Sequence, residues 1–196
     1  MAEITVDQIK KLKELSGAGL TDAKKALVEA KGDFDKALEA MRKKGLTKAE
    51  KRGDRETREG LVEAYIHDGR LGAIVEVNCE TSFVAKTDEF KTLAHQIAMQ
   101  VASMNPLYVS EEDIPEKVRE AKMKELEENF KGPANMKEQI LSGQVKKAFS
   151  DKVLMNQPYI LDDTKTVEQF VKEAIAKTGE NITIRQFKRI ELGVTE

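Results

Sequence analysis

The sequence contains one cysteine, Cys79, among its 196 residues. A single thiol cannot form an intrachain disulfide, and no CxxC pair is present to suggest a redox or zinc motif. No apolar run approaches the ~20 residues that a membrane-spanning helix needs, and the start Met1-Ala2-Glu3-Ile4 does not resemble a signal peptide. These absences predict a soluble protein of a reducing compartment, the cytoplasm.

An excess of charge of one sign is also missing. The chain has 33 Lys+Arg and 35 Asp+Glu, and no long basic run stands out, which argues against nucleic acid as the main ligand. The hydrophobic content of 40% is sufficient for a packed core. A chain of this length accommodates one large domain, or a small domain followed by a larger one.

Residue constellations that carry chemistry are scarce. His67 and His95 have no metal-ligand partner at helical spacing, and no P-loop or GxSxG motif occurs. Asp162-Asp163 lies in a turn-rich stretch and is interpreted as solvated. Cys79 has no sequence-local base, so a buried structural thiol is expected. The sequence therefore predicts no catalytic residue, no cofactor and no metal site.

Three short amphipathic patterns open the chain and predict a three-helix bundle. Gly17-Ala18-Gly19 is expected to form a tight left-handed turn after the first helix, and Thr21 to cap the second. Gly32 then ends the second helix, Asp33 caps the third, and Gly45 ends it. Lysines on the polar faces are interpreted as solvating residues: Lys10, Lys11, Lys13, Lys24 and Lys25.

Charged residues crowd together between Leu46 and Arg58, where apolar residues thin out. This composition is typical of a linker between separately packed units. We therefore expect a boundary near residue 55, with a helical domain and linker at 1–55 and a second domain at 56–196.

The second domain is predicted to begin with a hairpin, Leu61 to His67 and Leu71 to Glu80, joined by a tight turn at Asp68-Gly69. The longest helical stripe follows, from Phe90 to Met104, and Asn105-Pro106 ends it.

Further helices are expected after Pro115, after Pro133 with a bend or an interruption at Ser142-Gly143, and from a cap at Thr166 to Gly179. An irregular stretch to Asp163 precedes the last of these helices. A returning strand at Asn181 to Glu191 completes an α+β domain with a small antiparallel sheet packed with helices.

The stretch from Glu76 to Lys86 begins as a strand and reaches the next helix through a short loop with Phe83 near its centre. Two interpretations of this loop remain open from the residues alone. Phe83 packs into the protein's own core, or it serves as an aromatic probe for another protein's pocket.

Two long segments carry specific patterns that are not generic to helices or strands. The first is Leu12-Lys13-Glu14-Leu15-Ser16-Gly17-Ala18-Gly19-Leu20-Thr21-Asp22-Ala23-Lys24-Lys25-Ala26-Leu27, and the second runs from Glu76 to Lys86. Both segments resemble the signatures of the elongation factor Ts family. The family reads Thr-Asp-Phe-Val-Ala where this chain has Thr81 to Ala85. The segments Gly179 to Ile182 and Phe187 to Gly193 are also similar to the family, so the resemblance covers essentially the whole chain.

The resemblance implies a nucleotide exchange factor that binds elongation factor Tu with GDP and promotes GDP release. It implies a ubiquitin-associated-like bundle that docks on the GTPase's nucleotide-binding domain, and a loop that wedges into that domain and disturbs its magnesium site. The residues assigned to the wedge are Thr81, Ser82, Phe83 and Val84. Secondary partner contacts are assigned to Ala85, Lys86, Lys10, Leu20 and Lys24.

The chain departs from the family at Ser82, where the family carries aspartate, so any charge-assisted contact there is expected to be weakened. It also has one core unit where longer members have two, which favours a non-covalent homodimer. The alternative is a monomer whose sheet edge is covered by its own helices. The final strand, Asn181 to Glu191, and the hairpin edge near Leu61 to His67 are the candidate dimer surfaces. The alternative functions are a protein-binding adaptor that uses the bundle, and an RNA-associated protein that uses the lysines of residues 10–25.

Overall fold

The computed structural model describes residues 4–16, 19–50, 52–130, 133 and 136–194. The chain forms two compact units that alternate along the sequence. One unit comprises Met1–Glu63, Glu76–Ala94 and Gln169–Ile184, and the other comprises Ala64–Val75, His95–Glu168 and Arg185–Glu196. The predicted boundary near residue 55 remains a prediction.

The N-terminal segment is the predicted three-helix bundle, with α1 at Val6–Ser16, α2 at Leu20–Glu29 and α3 at Phe34–Glu50. Thr5 and Gln8 form a reciprocal capping box at the start of α1, with hydrogen bonds of 3.0 and 3.2 Å. All three helices contribute buried residues to a small shared core of Leu12, Ala23, Ala26, Leu27, Ala37 and Met41.

The ends of these helices differ in part from the predictions. Gly19, with φ −71°, is the N-cap of α2, so Thr21 lies inside the helix and does not cap it. Gly17 and Ala18 of the expected left-handed turn lie outside the described residues. Gly32 has φ 84°, as expected of a glycine that ends α2. Asp33 accepts a hydrogen bond from the Lys36 amide, as expected of the residue that caps α3.

The third helix does not end at Gly45 but continues to Glu50. A glycine inside a helix costs only ~1 kcal/mol relative to alanine. The residues after it, which include Leu46, Lys48 and Ala49, are good helix formers, so the helix propagates through the glycine.

The predicted hairpin is present, with β1 at Glu59–His67 and β2 at Leu71–Cys79. Asp68 and Gly69 have φ 49° and 66°, the two left-handed residues that a type I′ turn requires. At Gly60, with φ 152°, an added Cβ would lie 2.2 Å from the Val77 carbonyl oxygen. Only glycine allows β1 to approach β2 so closely at this position.

Strand β5, Ile182–Glu191, completes a small antiparallel sheet in the order β1-β2-β5. Gly179 has φ 78° and ends the preceding helix α8, which runs from Val167 to Thr178. The inner face of β2 is buried at Ala73, Val75 and Val77. The alternation of apolar residues along β2 therefore predicts its buried face correctly.

The longest apolar stripe forms α5, Asp88–Met104, and Asn105 ends it with φ 47°. Gln100 on this helix is fully buried. Its amide nitrogen donates to Gln157 Oε1 at 3.1 Å, and its amide oxygen accepts from the Ile160 amide at 2.8 Å. These bonds attach residues 157–160 to α5.

Helices α6 and α7 occupy Glu116–Glu128 and Lys137–Phe149. Helix α7 has no interruption at Ser142-Gly143, and the alternative of a bend there stays a prediction. The stretch expected to be irregular contains a two-stranded ribbon, β3 at Pro158–Tyr159 and β4 at Asp162–Thr166. Its strands are too short to show a period of two. The residues next to Pro133, where a helix start was predicted, lie outside the described residues.

Candidate functional site

The segment predicted to be a loop after β2 contains a short helix, α4, at Ser82–Ala85. Thr81 is its N-cap, with its side-chain oxygen accepting a hydrogen bond from the Val84 amide at 3.5 Å. A helix of four residues is too short to show a 3.6-residue period, so the hydrophobic pattern could not predict it. Phe83 therefore projects from a helical turn and not from an extended loop.

The exposure of this segment excludes one of the two interpretations of Phe83. Its side chain is 85% exposed, while Ala85 two residues later is buried. Thr81 and Lys86 are exposed, and Ser82 and Val84 are half-buried. The interpretation that Phe83 packs into the protein's own core is wrong. The exposed ring forgoes the stabilisation that its burial would give.

Thr81 is held by Glu180 from the turn between α8 and β5. The Thr81 amide donates to Glu180 Oε2 at 3.0 Å, and the Thr81 hydroxyl donates to Oε1 at 2.6 Å. Hydrogen bonds to a carboxylate are roughly twice as strong as those between neutral groups. Both the backbone and the side chain of the N-cap residue are therefore fixed to one distant carboxylate.

Glu80 makes a second connection between the same two segments. It accepts a hydrogen bond from the Asn181 amide at 2.6 Å and pairs with Arg55 at 3.4 Å. The Asn181 amide hydrogen bond, with a smaller contribution from Arg55, holds the pKa of Glu80 below its usual value. The carboxylate therefore stays ionised at neutral pH and keeps both contacts.

The side chain of Asn181 extends this network to the segment that follows the helical bundle. Its amide nitrogen donates to the carbonyl oxygens of Gly53 at 3.2 Å and Arg55 at 2.8 Å. Arg52 in the same segment donates to the Ile175 carbonyl oxygen of α8 at 3.4 Å. Residues 52–55 are thus bound to the turn that also holds Thr81.

Thr87 connects the other end of α4 to α5. Its hydroxyl donates to the Val84 carbonyl oxygen at 2.8 Å and accepts from the Phe90 amide at 3.3 Å. One side chain therefore satisfies a carbonyl at the end of α4 and an amide at the start of α5. The helical turn that carries Phe83 is supported at both ends.

Cys79 lies directly before this site and is fully buried. Its thiol donates to the Thr81 carbonyl oxygen at 3.2 Å. Burial, and to a smaller degree the negative charge of Glu180, raises the pKa of the thiol. A protonated, inaccessible thiol is not a nucleophile, which agrees with the structural role predicted for it.

The secondary partner contacts predicted on the bundle lie on α1 and α2 and not on α4. Lys10 is on α1, and Leu20 and Lys24 are four residues apart on α2, where they share one face. All three side chains are exposed, and Leu20 is 51% exposed although it is apolar.

The remaining titratable candidates have structural partners. The Tyr65 hydroxyl lies 3.1 Å from His67 Nδ1, and the rings of Tyr65 and His95 meet edge to face. Asp162 accepts hydrogen bonds from the Thr164 amide and hydroxyl, which hold the pKa of its carboxyl below the usual value.

Within the described ranges, no group of three or more His, Cys, Asp or Glu residues could hold a metal ion. No helix of the described part of the chain is long and apolar enough to cross a bilayer.

The support for α4 is the part of the site that the sequence did not predict. Glu80, Glu180, Asn181 and Arg55 carry no local pattern, because Thr81 and Glu180 are 99 positions apart. The only available signal was the likeness of the Gly179-Glu180-Asn181-Ile182 segment to the family.

Comparison with known proteins agrees with the two signatures. The sequence model of the family described as Elongation factor TS matches residues 3–194. The chain is 51% identical to an elongation factor Ts from Thermotoga maritima, with 97% of each chain covered. It is 50% identical to one from Rippkaea orientalis, with 98% of this chain and 80% of the relative covered.

Proposed function

Since the chain belongs to the elongation factor Ts family, a family of translation elongation factors, we propose that it is a guanine nucleotide exchange factor. Its proposed partner is elongation factor Tu in the GDP-bound state, and its place of action is the cytoplasm. It changes the affinity of the partner for a nucleotide and makes or breaks no covalent bond.

The observation that carries the proposal is the position of Phe83. The ring is 85% exposed and stands on a helical turn that is anchored at Thr81 and Thr87. A rigid, exposed aromatic side chain loses little conformational entropy on binding and buries a large apolar area. These are the properties expected of a residue that enters a pocket of another protein.

Insertion of Phe83 explains nucleotide release in physical terms. The partner's magnesium ion bridges its protein ligands and the phosphates of the nucleotide, so displacing those ligands weakens nucleotide binding. Because coupling between two binding sites is reciprocal, a factor that binds the nucleotide-free GTPase more tightly must lower its affinity for GDP. We propose that Thr81, Ser82, Phe83 and Val84 form this contact.

The bundle is proposed to supply a second contact through Lys10, Leu20 and Lys24, with Ala85 and Lys86 adjoining the wedge. Leu20 supports this assignment because it is an exposed apolar side chain on the same face as a cation. Ala85 is buried, so its proposed role is limited to supporting its exposed neighbours. Ser82 is half-buried and uncharged, and its contact is proposed to be weaker than that of an aspartate.

We also propose that two copies associate through the outer face of the sheet. The two candidate dimer surfaces lie on β1 and β5, which are the edge strands of that sheet. Ile66, Ile74 and Ile190 line one groove on its outer face and are between 50% and 74% exposed. Contiguous apolar surface of this kind is typical of an interface between protein chains.

Release of fluorescent GDP from elongation factor Tu, followed by stopped flow, tests the exchange function. We expect this protein at micromolar concentration to accelerate release in proportion to its concentration until the partner is saturated. An unchanged release rate, together with measurable binding to the GTPase, would instead indicate the adaptor function.

A further inference from the structure

Glu180 holds one residue with both of its carboxylate oxygens. Oε2 accepts from the Thr81 amide and Oε1 from the Thr81 hydroxyl, at 3.0 and 2.6 Å. Two bonds from one carboxylate to one residue restrain its backbone and its side-chain torsion together. The orientation of the N-cap residue of α4 is therefore fixed by a side chain from the α8–β5 turn.

The hydroxyl of Thr81 has a second task in the same arrangement. It accepts a hydrogen bond from the Val84 amide at 3.5 Å, within α4. Because its proton is donated to Glu180, a lone pair is left to face Val84. A helix of four residues is not stable by itself, so its direction depends on such contacts at its ends.

Hydrogen bonds hold the backbone at Glu180 and at the next residue. The Thr178 hydroxyl accepts from the Glu180 amide at 3.4 Å, and Gly179 between them adopts φ 78°. On the other side, the Asn181 amide donates to Glu80 at 2.6 Å. The carboxylate that holds Thr81 thus extends from a turn that is anchored before and after it.

We propose that Glu180 is a positioning residue, which through Thr81 sets the orientation in which α4 presents Phe83. The inference rests on the proposed function, because the orientation of Phe83 matters only if its ring enters the partner. Glu180 is not assigned a contact with the GTPase. Its effect on nucleotide release passes entirely through Phe83.

The positioning is tested first on the free protein, without the GTPase. The two bonds to Thr81 use different carboxylate oxygens, and Glu180→Gln replaces one of these oxygens with an amide donor, so one of the two bonds loses its acceptor. Amide hydrogen exchange measured by NMR is expected to become about tenfold faster at Thr81 and Val84, the effect of losing roughly one charge-assisted hydrogen bond. Unchanged exchange at both amides would overturn the proposal whatever the protein does to nucleotide.

The consequence is tested by GDP release in two backgrounds. Glu180→Gln is expected to slow release about tenfold when Phe83 is present and less than about twofold when Phe83→Ala is already in place, because effects that act through one group are not additive. A general loss of folding would slow release equally in both backgrounds, and that result would contradict the proposal. Glu120→Gln, which removes the same charge from an exposed position on α6, is the control and should leave release unchanged.

The two measurements separate this proposal from the proposed function. If Phe83→Ala does not slow release, the proposed role of Phe83 fails while the hydrogen-exchange result still decides whether Glu180 holds α4. If Phe83→Ala slows release and Glu180→Gln does not, the exchange function stands and the positioning role is wrong.

Discussion

Phe83 and Phe90 occupy successive helices, and their side chains are 85% and 1% exposed, respectively. The same residue type therefore has opposite environments on α4 and α5. Thr87 lies between them and bonds to both helices, so the change of environment occurs at a defined junction. An exposed aromatic and a core aromatic are therefore separated by a single connecting side chain.

The two phenylalanines make a matched pair for mutation. Phe83→Ala is expected to slow GDP release while leaving the free energy of unfolding nearly unchanged, because the ring is already in water. Phe90→Ala should reduce the free energy of unfolding by about 3–5 kcal/mol. Stopped-flow GDP release and urea unfolding measure the two effects. A large loss of stability in Phe83→Ala would contradict the exposed position of the ring.

Removal of the helical bundle is predicted to leave a folded remainder that binds the GTPase weakly. The chain of residues 52–196 keeps the Gly53 and Arg55 carbonyls that accept from Asn181. The chain of residues 56–196 loses both acceptors and is expected to unfold at a lower urea concentration. Unfolding followed by circular dichroism compares the two. Loss of cooperative unfolding in both would show that the predicted boundary near residue 55 is wrong.

The pH dependence of stability is predicted to include a contribution from Glu80. Its pKa is lowered in the folded state, chiefly by the Asn181 amide, from the ordinary value of 4.5. The contribution is therefore complete above pH 4.5 and is lost as the pH falls through the lower, folded-state pKa. Urea unfolding of the protein and of Glu80→Gln at several pH values should show two curves that converge in acid. A constant difference at every pH would contradict the prediction.

Cys79 is predicted to react slowly with Ellman's reagent in the folded protein and rapidly in guanidinium chloride. Its side chain is inaccessible, and burial raises the pKa of its thiol, so little thiolate is available to attack. Leu161→Cys, at an exposed position of the ribbon turn, is the matched control and should react in the folded state. Equal reactivity of the two thiols would mean that Cys79 is not buried in solution.

Self-association is predicted to depend on the outer face of the sheet. Light scattering of the protein at micromolar concentration should give twice the 22.0 kDa mass of one chain, with or without reductant. The double substitution Ile66→Lys and Ile190→Lys places two charges in the apolar groove and should give the mass of one chain. A mass of 22.0 kDa for the unsubstituted protein would exclude the dimer.

The sequence predicted the hairpin, α5 and the bundle because each has a local pattern long enough to show its period. The turn at Asp68-Gly69 was predictable because its residue types tolerate positive φ. Helix α4 and the β3–β4 ribbon were missed because their elements span only two to five residues. The predicted helix end at Gly45 and the predicted helix start at Thr21 were both wrong. Neighbouring residues determine whether a helix continues through a glycine and whether it begins before a possible cap residue.

The candidate site also has one part that the sequence predicts and another that it does not. The resemblance identified Thr81 to Lys86 as the segment of interest, and the exposure of Phe83 was undecided until the fold was known. The hydrogen bonds between Glu180 and Thr81 join residues that are 99 positions apart. The local sequence around either residue does not predict its partner. Such contacts depend on the path of the whole chain and follow only from the tertiary structure.

The strand order β1-β2-β5 affects how the sheet is completed during synthesis on the ribosome. A ribosome completes the bundle and the hairpin well before it adds β5, which pairs with β2. During that interval the nascent chain has an open β2 edge, which is a template for pairing with other strands. The same delay leaves Thr81 without Glu180, so the nascent protein completes its sheet and the Thr81–Glu180 hydrogen bonds at the same stage of its synthesis.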